Sequence, residues 1–385
     1  MKGKVMRQFS KTTAIFLSAV SILTSGITIA GEANSQAIPG WVTRMKIKGD
    51  IRARFENVTK DKSTKKSRFR ERVRIGIYGD VNEQMDWGFR IASGSDESPT
   101  SSNQSLDDFS GKRKIWMDLG YFGYRPAELD SLHIIIGKFK KPWHGVSDLV
   151  WDGDLNPEGI NAAYGTKSIN TQLGYYIMKD NATGNNPSTD TGMFAGQLDS
   201  KIELFDHIKL TAGIAGFLYQ NIKDTEVVKS DSGKYMIKGN SVTKTEDAEG
   251  NKTEFWANDY KEVDTFVNLD INRGFVPLKV YGEYVLNVAA DSPDDNGWKV
   301  GIKASFLNKK LSIDYNYRDL GRDAVLGLLT DSDFGGGGTG SKGHKVKVKY
   351  AVLKNCTIGL TSLLADNQIK DANINTIQAD IVVKF

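Results

Sequence analysis

Strict alternation governs the last eleven residues, Asn375 to Phe385. Ile377, Ala379, Ile381, Val383 and Phe385 fall on one side of a strand. Thr376, Gln378, Asp380 and Lys384 fall on the other, with Val382 the only apolar residue among them. Successive side chains of a strand point to opposite faces. A strand that is apolar throughout one face and ends on an aromatic suits a sheet with lipid on one side and water on the other.

The same period runs through the chain. Met45, Ile47, Gly49, Ile51, Ala53 and Phe55 alternate with Lys46, Lys48, Asp50, Arg52, Arg54 and Glu56. Phe69, Val73, Ile75 and Ile77 then alternate with Arg68, Arg70, Arg72, Arg74 and Tyr78, and Glu71 interrupts the apolar face. That carboxylate has to sit near the headgroup level or in a subunit interface. The first alternation holds for twelve residues, suited to a tilted membrane crossing of about 9–11 residues. Further segments of this kind, one of them weaker near Gly159–Tyr164, bring the expected number of strands to about sixteen. The links alternate as well. Taking the first strand to run outward, every odd-numbered link, from Thr59–Ser67 to Ala365–Asn373, exceeds every even-numbered one, such as Phe205–Asp206. Long external loops and short periplasmic turns are the mark of outer-membrane barrels. The expected fold is therefore all-β: a transmembrane antiparallel up-and-down barrel.

Composition fits that reading and excludes others. Mean hydropathy is −0.39, which is unsuited to helical spans but natural where only alternate residues meet lipid. At the amino terminus, Lys2, Lys4, Arg7 and Lys11 precede an apolar run interrupted by Ser18, Ser21, Thr24 and Ser25, with small residues around Ala30. This predicts a secretory signal peptide over 1–30, a periplasmic segment over 31–43, and a barrel over 44–385. The chain has 51 basic and 47 acidic residues, and the export signal holds four of the basic ones. The remainder is balanced, so nothing points to a nucleic-acid partner. A single cysteine, Cys356, excludes an internal disulfide.

Two stretches carry a family resemblance: Gly137–Trp143 continuing through Leu149–Gly159, and Asp331–His344 with its run of glycines. Together with Pro277–Tyr284 they resemble the "putative porin" family of Gram-negative outer membranes. The resemblance spans the expected mature chain. It implies a channel for small hydrophilic solutes in outer-membrane lipid and supplies no catalytic residue. Its general-porin side implies a homotrimer. The end of the chain, Ile381, Val383 and Phe385, resembles the signal read by the barrel-assembly machinery.

General porins fold their third external loop into the lumen, so the resemblance places a constriction near 140–157. The loop Lys140–Pro157 has prolines to bend it, Trp143 and Trp151 to pin it, and the acids Asp148, Asp152, Asp154 and Glu158. An external loop whose acids bind divalent cations bridging lipopolysaccharide is the other reading. Arg52, Arg54, Arg68, Arg70, Arg72, Arg74 and Arg90 share the polar phase of the first three strands. They form either a cationic patch facing water or salt bridges that brace the wall, with Asp50, Glu56, Asp86 or the third loop as partners.

No cofactor or metal site is expected. Asp152 and Asp154 are too few carboxylates for a calcium site, and the four histidines are scattered. Gly335–Lys342 lacks the spacing of a phosphate loop. No Ser-His-acid set points to an enzyme. The polar stretch 221–260 suggests a short hairpin around Lys234–Lys238. Three functions compete: a general diffusion channel, an anion-selective or substrate-specific porin suggested by the arginines, and an adhesin or structural barrel without an open pore, suggested by the large loops.

Overall fold

The computed structural model describes residues 40–385, apart from 62, 64, 96–98, 108, 180–189, 231 and 273. The expected signal peptide, and residues 31–39 of the segment after it, lie outside the described residues. Gly40–Thr43 forms a single helical turn.

Among the described residues, sixteen antiparallel strands build one closed barrel. They are β1 (Lys46–Lys60), β2 (Lys66–Asp80), β3 (Met85–Ser93), β4 (Ile115–Tyr124), β5 (Leu132–Lys138), β6 (Glu158–Gly165), β7 (Ile169–Lys179) and β8 (Thr191–Phe205). Then follow β9 (Ile208–Gln220), β10 (Lys261–Ile271), β11 (Leu278–Asn287), β12 (Asn296–Phe306), β13 (Leu311–Leu320), β14 (Ser341–Leu353), β15 (Cys356–Asn367) and β16 (Ala372–Lys384). Each pairs with the next, and β1 pairs with β16 to close the ring. Closure removes every sheet edge, the only way a sheet satisfies its backbone in hydrocarbon.

The alternation in the sequence becomes an inside and an outside. Ile47, Ile51 and Phe55 of β1, Phe69 and Ile75 of β2, and Ile377, Ile381 and Val383 of β16 are exposed on the outer face. Asp50, Arg54, Glu56, Arg72, Thr376 and Gln378 are buried on the inner one. The outer aromatic Phe385 lies over Gly49, with which it exchanges both backbone hydrogen bonds (Gly49 N–H to Phe385 O, 2.9 Å; Phe385 N–H to Gly49 O, 3.0 Å). A Cβ at Gly49 would come within 2.6 Å of that ring, so the close approach requires glycine.

The expected loop rule holds only in part. The outer links 61–65 and 368–371 are shorter than the inner link 125–131. The cause is that β1, β2, β15 and β16 extend beyond the level where β3 stops. There Glu71 keeps its outward phase, pairs in register with Gln104 of the link after β3, and meets Arg113 Nε at 4.0 Å. Within 221–260 the hairpin is Val242–Glu246 with Lys252–Trp256. A second, shorter turn closes over 228–236 through the Lys229–Tyr235 bridge, where the Ser230 N–H donates to Lys234 O (2.9 Å) and the Met236 N–H to Val228 O (2.8 Å).

Sixteen strands enclose more space than wall side chains can fill. One side of that space is filled by loops. The links after β5, β9 and β13 pack Trp143, Leu149, Trp151, Trp256 and Leu326 against inward residues of β7, β8 and β9, including Tyr176, Met193 and Phe217. Trp143 is the hub: its ring centroid lies 4.9 Å from Trp151, 5.2 Å from Tyr176 and 4.9 Å from Phe217.

Candidate functional site: the inward loops and the charged wall

The third long link, 139–157, leaves the wall at β5 and returns at β6, yet its tip reaches the strands across the lumen. Its base is tied to the near wall. The His144 N–H donates to Gln197 Oε1 (2.8 Å), and the Gln172 amide donates to the Pro142 carbonyl (2.7 Å). Gly145, at φ +69°, makes the turn; a Cβ there would strike the Phe266 ring at 2.3 Å. Beyond the turn, the Ser147 N–H donates to Glu283 of β11 (2.7 Å). Asp148 pairs with Lys345 of β14 (2.7 Å), Lys299 of β12 (3.3 Å) and Arg318 of β13 (3.7 Å). Burial pushes the Asp148 carboxyl up, but Lys345, Lys299 and Arg318 override this and hold it well below the usual carboxylate range. The side chain is 30% exposed, so water screens part of that effect.

A second loop, 321–340 between β13 and β14, is clamped to the third. The Asp152 N–H donates to Leu329 O (2.7 Å), the Asp331 N–H to Asp148 O (3.0 Å), and the Ser332 N–H to Asp152 Oδ2 (3.2 Å). Here the glycine motif finds its use. Gly335, Gly336, Gly337, Gly338 and Gly340 take φ between +60° and +91°, a left-handed course that residues with a Cβ resist. The Arg318 guanidinium stacks 3.5 Å from the Phe334 ring centroid. Burial pushes the Asp152 carboxyl up to about 8, reinforced by the Asp331 and Asp154 carboxylates and opposed by the N–H groups of Asp154 and Ser332.

The arginines do share the inner face, but they are largely neutralised. Arg54 grips Asp380 of β16 (2.7 and 3.0 Å) and reaches Asp333 (3.1 Å). Arg68 and Arg70 meet Glu56 (2.5 and 3.5 Å). Arg72 and Arg74 share Asp50 (2.8 and 2.7 Å) and Asp154 (3.3 and 3.2 Å). Arg90 pairs with Asp118. Arg52 donates to Asn103 and makes no ion pair among the described residues. Six of the seven arginines thus meet six carboxylates, and Asp154 touches the ladder directly instead of facing it across open water.

Other sequence expectations are redistributed. Asp86 sits at the short-turn end with Arg125 and His133 rather than with the ladder. Glu158 is not a loop acid: it opens β6 on the outward phase and pairs with Lys138 (2.5 Å). Sequence reasoning missed the Asp148 partners Lys299, Arg318 and Lys345, and the bracing acids Asp118, Asp333 and Asp380. Alternate lysines at 345, 347 and 349 were the signal available for the first group. A cavity of about 340 Å³ remains between the ladder, the two inward loops and the inner face of β14 to β16.

A closed sixteen-stranded barrel with a charged lumen narrowed by an inward loop defines a porin-type barrel. The family described as "Putative porin" matches residues 55–385, and the chain belongs to it. Solved structures share the fold at low identity. Pseudomonas putida OprB, in a high-pH structure, superposes with a TM-score of 0.59 at 10% identity, covering 89% of this chain and 95% of that one. Salmonella typhi OmpF in complex with daunomycin gives 0.54 at 11%, covering 89% and 97%. A mutant of Rh. blastica porin gives 0.52 at 12%, covering 89% and 100%. No curated protein matches the sequence.

Proposed function

We propose that this protein is a passive outer-membrane channel for small hydrophilic solutes and ions, with the third loop as its constriction. The observation that carries the reading is the path of that loop. It crosses from β5 and β6 to the Asp148 contacts on β12, β13 and β14. A passage is then left only along the charged wall, because the other side of the lumen holds the apolar cluster around Trp143. Charges in a narrow passage with low-dielectric walls concentrate counter-ions. The near-complete pairing of the arginines favours general diffusion over a strong preference set by the ladder alone.

The long links face outward, where lipopolysaccharide lies, and the short turns face the periplasm. The outer face meets lipid, and the subunits associate as a homotrimer, in keeping with general porins. The barrel-assembly machinery reads the apolar terminus at Ile381, Val383 and Phe385. Single-channel recording in planar bilayers, with reversal potentials in a salt gradient, tests pore, size and charge preference together. Stepwise conductance supports the channel. A folded barrel that inserts and passes no current would make it a structural or adhesive barrel instead.

A further inference from the structure

The inner wall beneath the third-loop tip holds a row of cations that the ladder does not include. Hydrogen-bonded register sets Lys279 of β11 opposite Lys303 of β12, Lys303 opposite Asp314 of β13, and Asp314 opposite Lys347 of β14. Lys349 follows two residues along β14 on the same face. None of these four lysines makes an ion pair among the described residues. Two carboxylates stand in the row: Asp270 of β10, opposite Lys279, and Asp314, which accepts a hydrogen bond from the Tyr281 hydroxyl (2.6 Å). The lysines line one cavity of about 440 Å³ that opens to the lumen. Like charges directly opposite one another destabilise a sheet, and adjacent strands bring them about 5 Å apart. A wall that pairs six arginines with carboxylates so closely and leaves these four lysines without an ion pair, two carboxylates to four ammoniums, has kept charge available for something mobile.

We propose that this row is a binding site for small oxyanions of two or more negative charges, on the periplasmic side of the constriction. The side follows from position: Lys279 lies at the start of β11, and Lys303 and Lys349 near the ends of β12 and β14, all next to short turns. Lysine is the fitting residue. Its ammonium is a compact point charge on a flexible stem, able to follow anions of different shape as they pass. The side and the passing solute rest on the channel reading above; the binding itself does not.

The test is calorimetric titration of the folded barrel in detergent at low salt, with inorganic pyrophosphate as probe and citrate as a second arm. Pyrophosphate is expected to bind, and the variant carrying Lys279→Gln, Lys303→Gln, Lys347→Gln and Lys349→Gln to bind at least about tenfold more weakly. The corresponding four Lys→Arg changes should restore binding, which separates loss of charge from misfolding. The citrate arm distinguishes phosphorylated from carboxylated solutes. Binding by neither anion, or equal binding by the Gln variant, overturns the site whether or not the barrel conducts. Absence of current with binding intact would count against the channel alone.

Discussion

Asp154 is the third-loop carboxylate that touches the arginine ladder, through Arg72 and Arg74 at 3.3 and 3.2 Å. Asp154→Asn leaves Asp50 to serve both guanidiniums. Reversal potentials should then move toward anion preference at 0.1 M salt and barely at 1 M, because the screening length falls from about 10 Å to about 3 Å. An unmoved reversal potential at low salt would place Asp154 outside the conducting path. Asp152 makes a different prediction. Its folded carboxyl holds a proton up to about pH 8, whereas an unfolded one loses it near pH 4. Its contribution to stability is thus whole below about pH 4 and is lost as the pH rises toward 8. The thermal unfolding temperature of wild type should drop more across that window than that of Asp152→Asn; parallel curves would refute the assignment. Phase alone put the seven arginines on one face, and Asp50 and Glu56 lie close enough in sequence to be seen as partners. Asp333 and Asp380 do not. They reach Arg54 from 279 and 326 residues away, and no local pattern announces a contact set by ring closure.

At the scale of the strand, two neighbouring substitutions separate lipid from water. Ile381 is 54% exposed on the outer face, and Val382 points inward. Ile381→Arg should cost about 2–4 kcal/mol if it lies near the bilayer midplane, while Val382→Gln should be close to neutral. Denaturant unfolding of the barrel in lipid measures both, and equal losses would contradict the assignment of faces. The strands were legible because a period of two needs only local sequence. The links were less so. Nothing local reveals that β1 and β2 rise past the end of β3, so 61–65 reads as a longer loop than it is. For the third loop, the sequence offered bending and pinning residues and left its direction open. What sends it inward is an apolar cluster assembled from three links and at least three strands, visible only once those are together.

The ring as a whole depends on the pairing of β1 with β16, from Asp50–Lys384 to Lys60–Ile374. Phe385 completes that seam through its backbone exchange with Gly49 and the ring laid over it. Deleting Phe385 should reduce the amount of barrel assembled in cells, while barrels already folded unfold at nearly the wild-type temperature. Outer-membrane fractionation beside thermal unfolding of purified protein gives the comparison; normal insertion of the shortened chain would count against it. Sixteen strands and their closure could be anticipated from pattern and parity, whereas the eccentric filling of the lumen could not. The seam also sets a deadline. Without the final strand, fifteen strands form a curled sheet with two bare edges, each a row of unsatisfied donors and acceptors ready to join any neighbouring chain. Contacts so distant in sequence are also the slowest to form. A partly made ring is therefore more hazardous than an unmade one, and a chain in transit is safest when its strands stay apart until the last residues arrive.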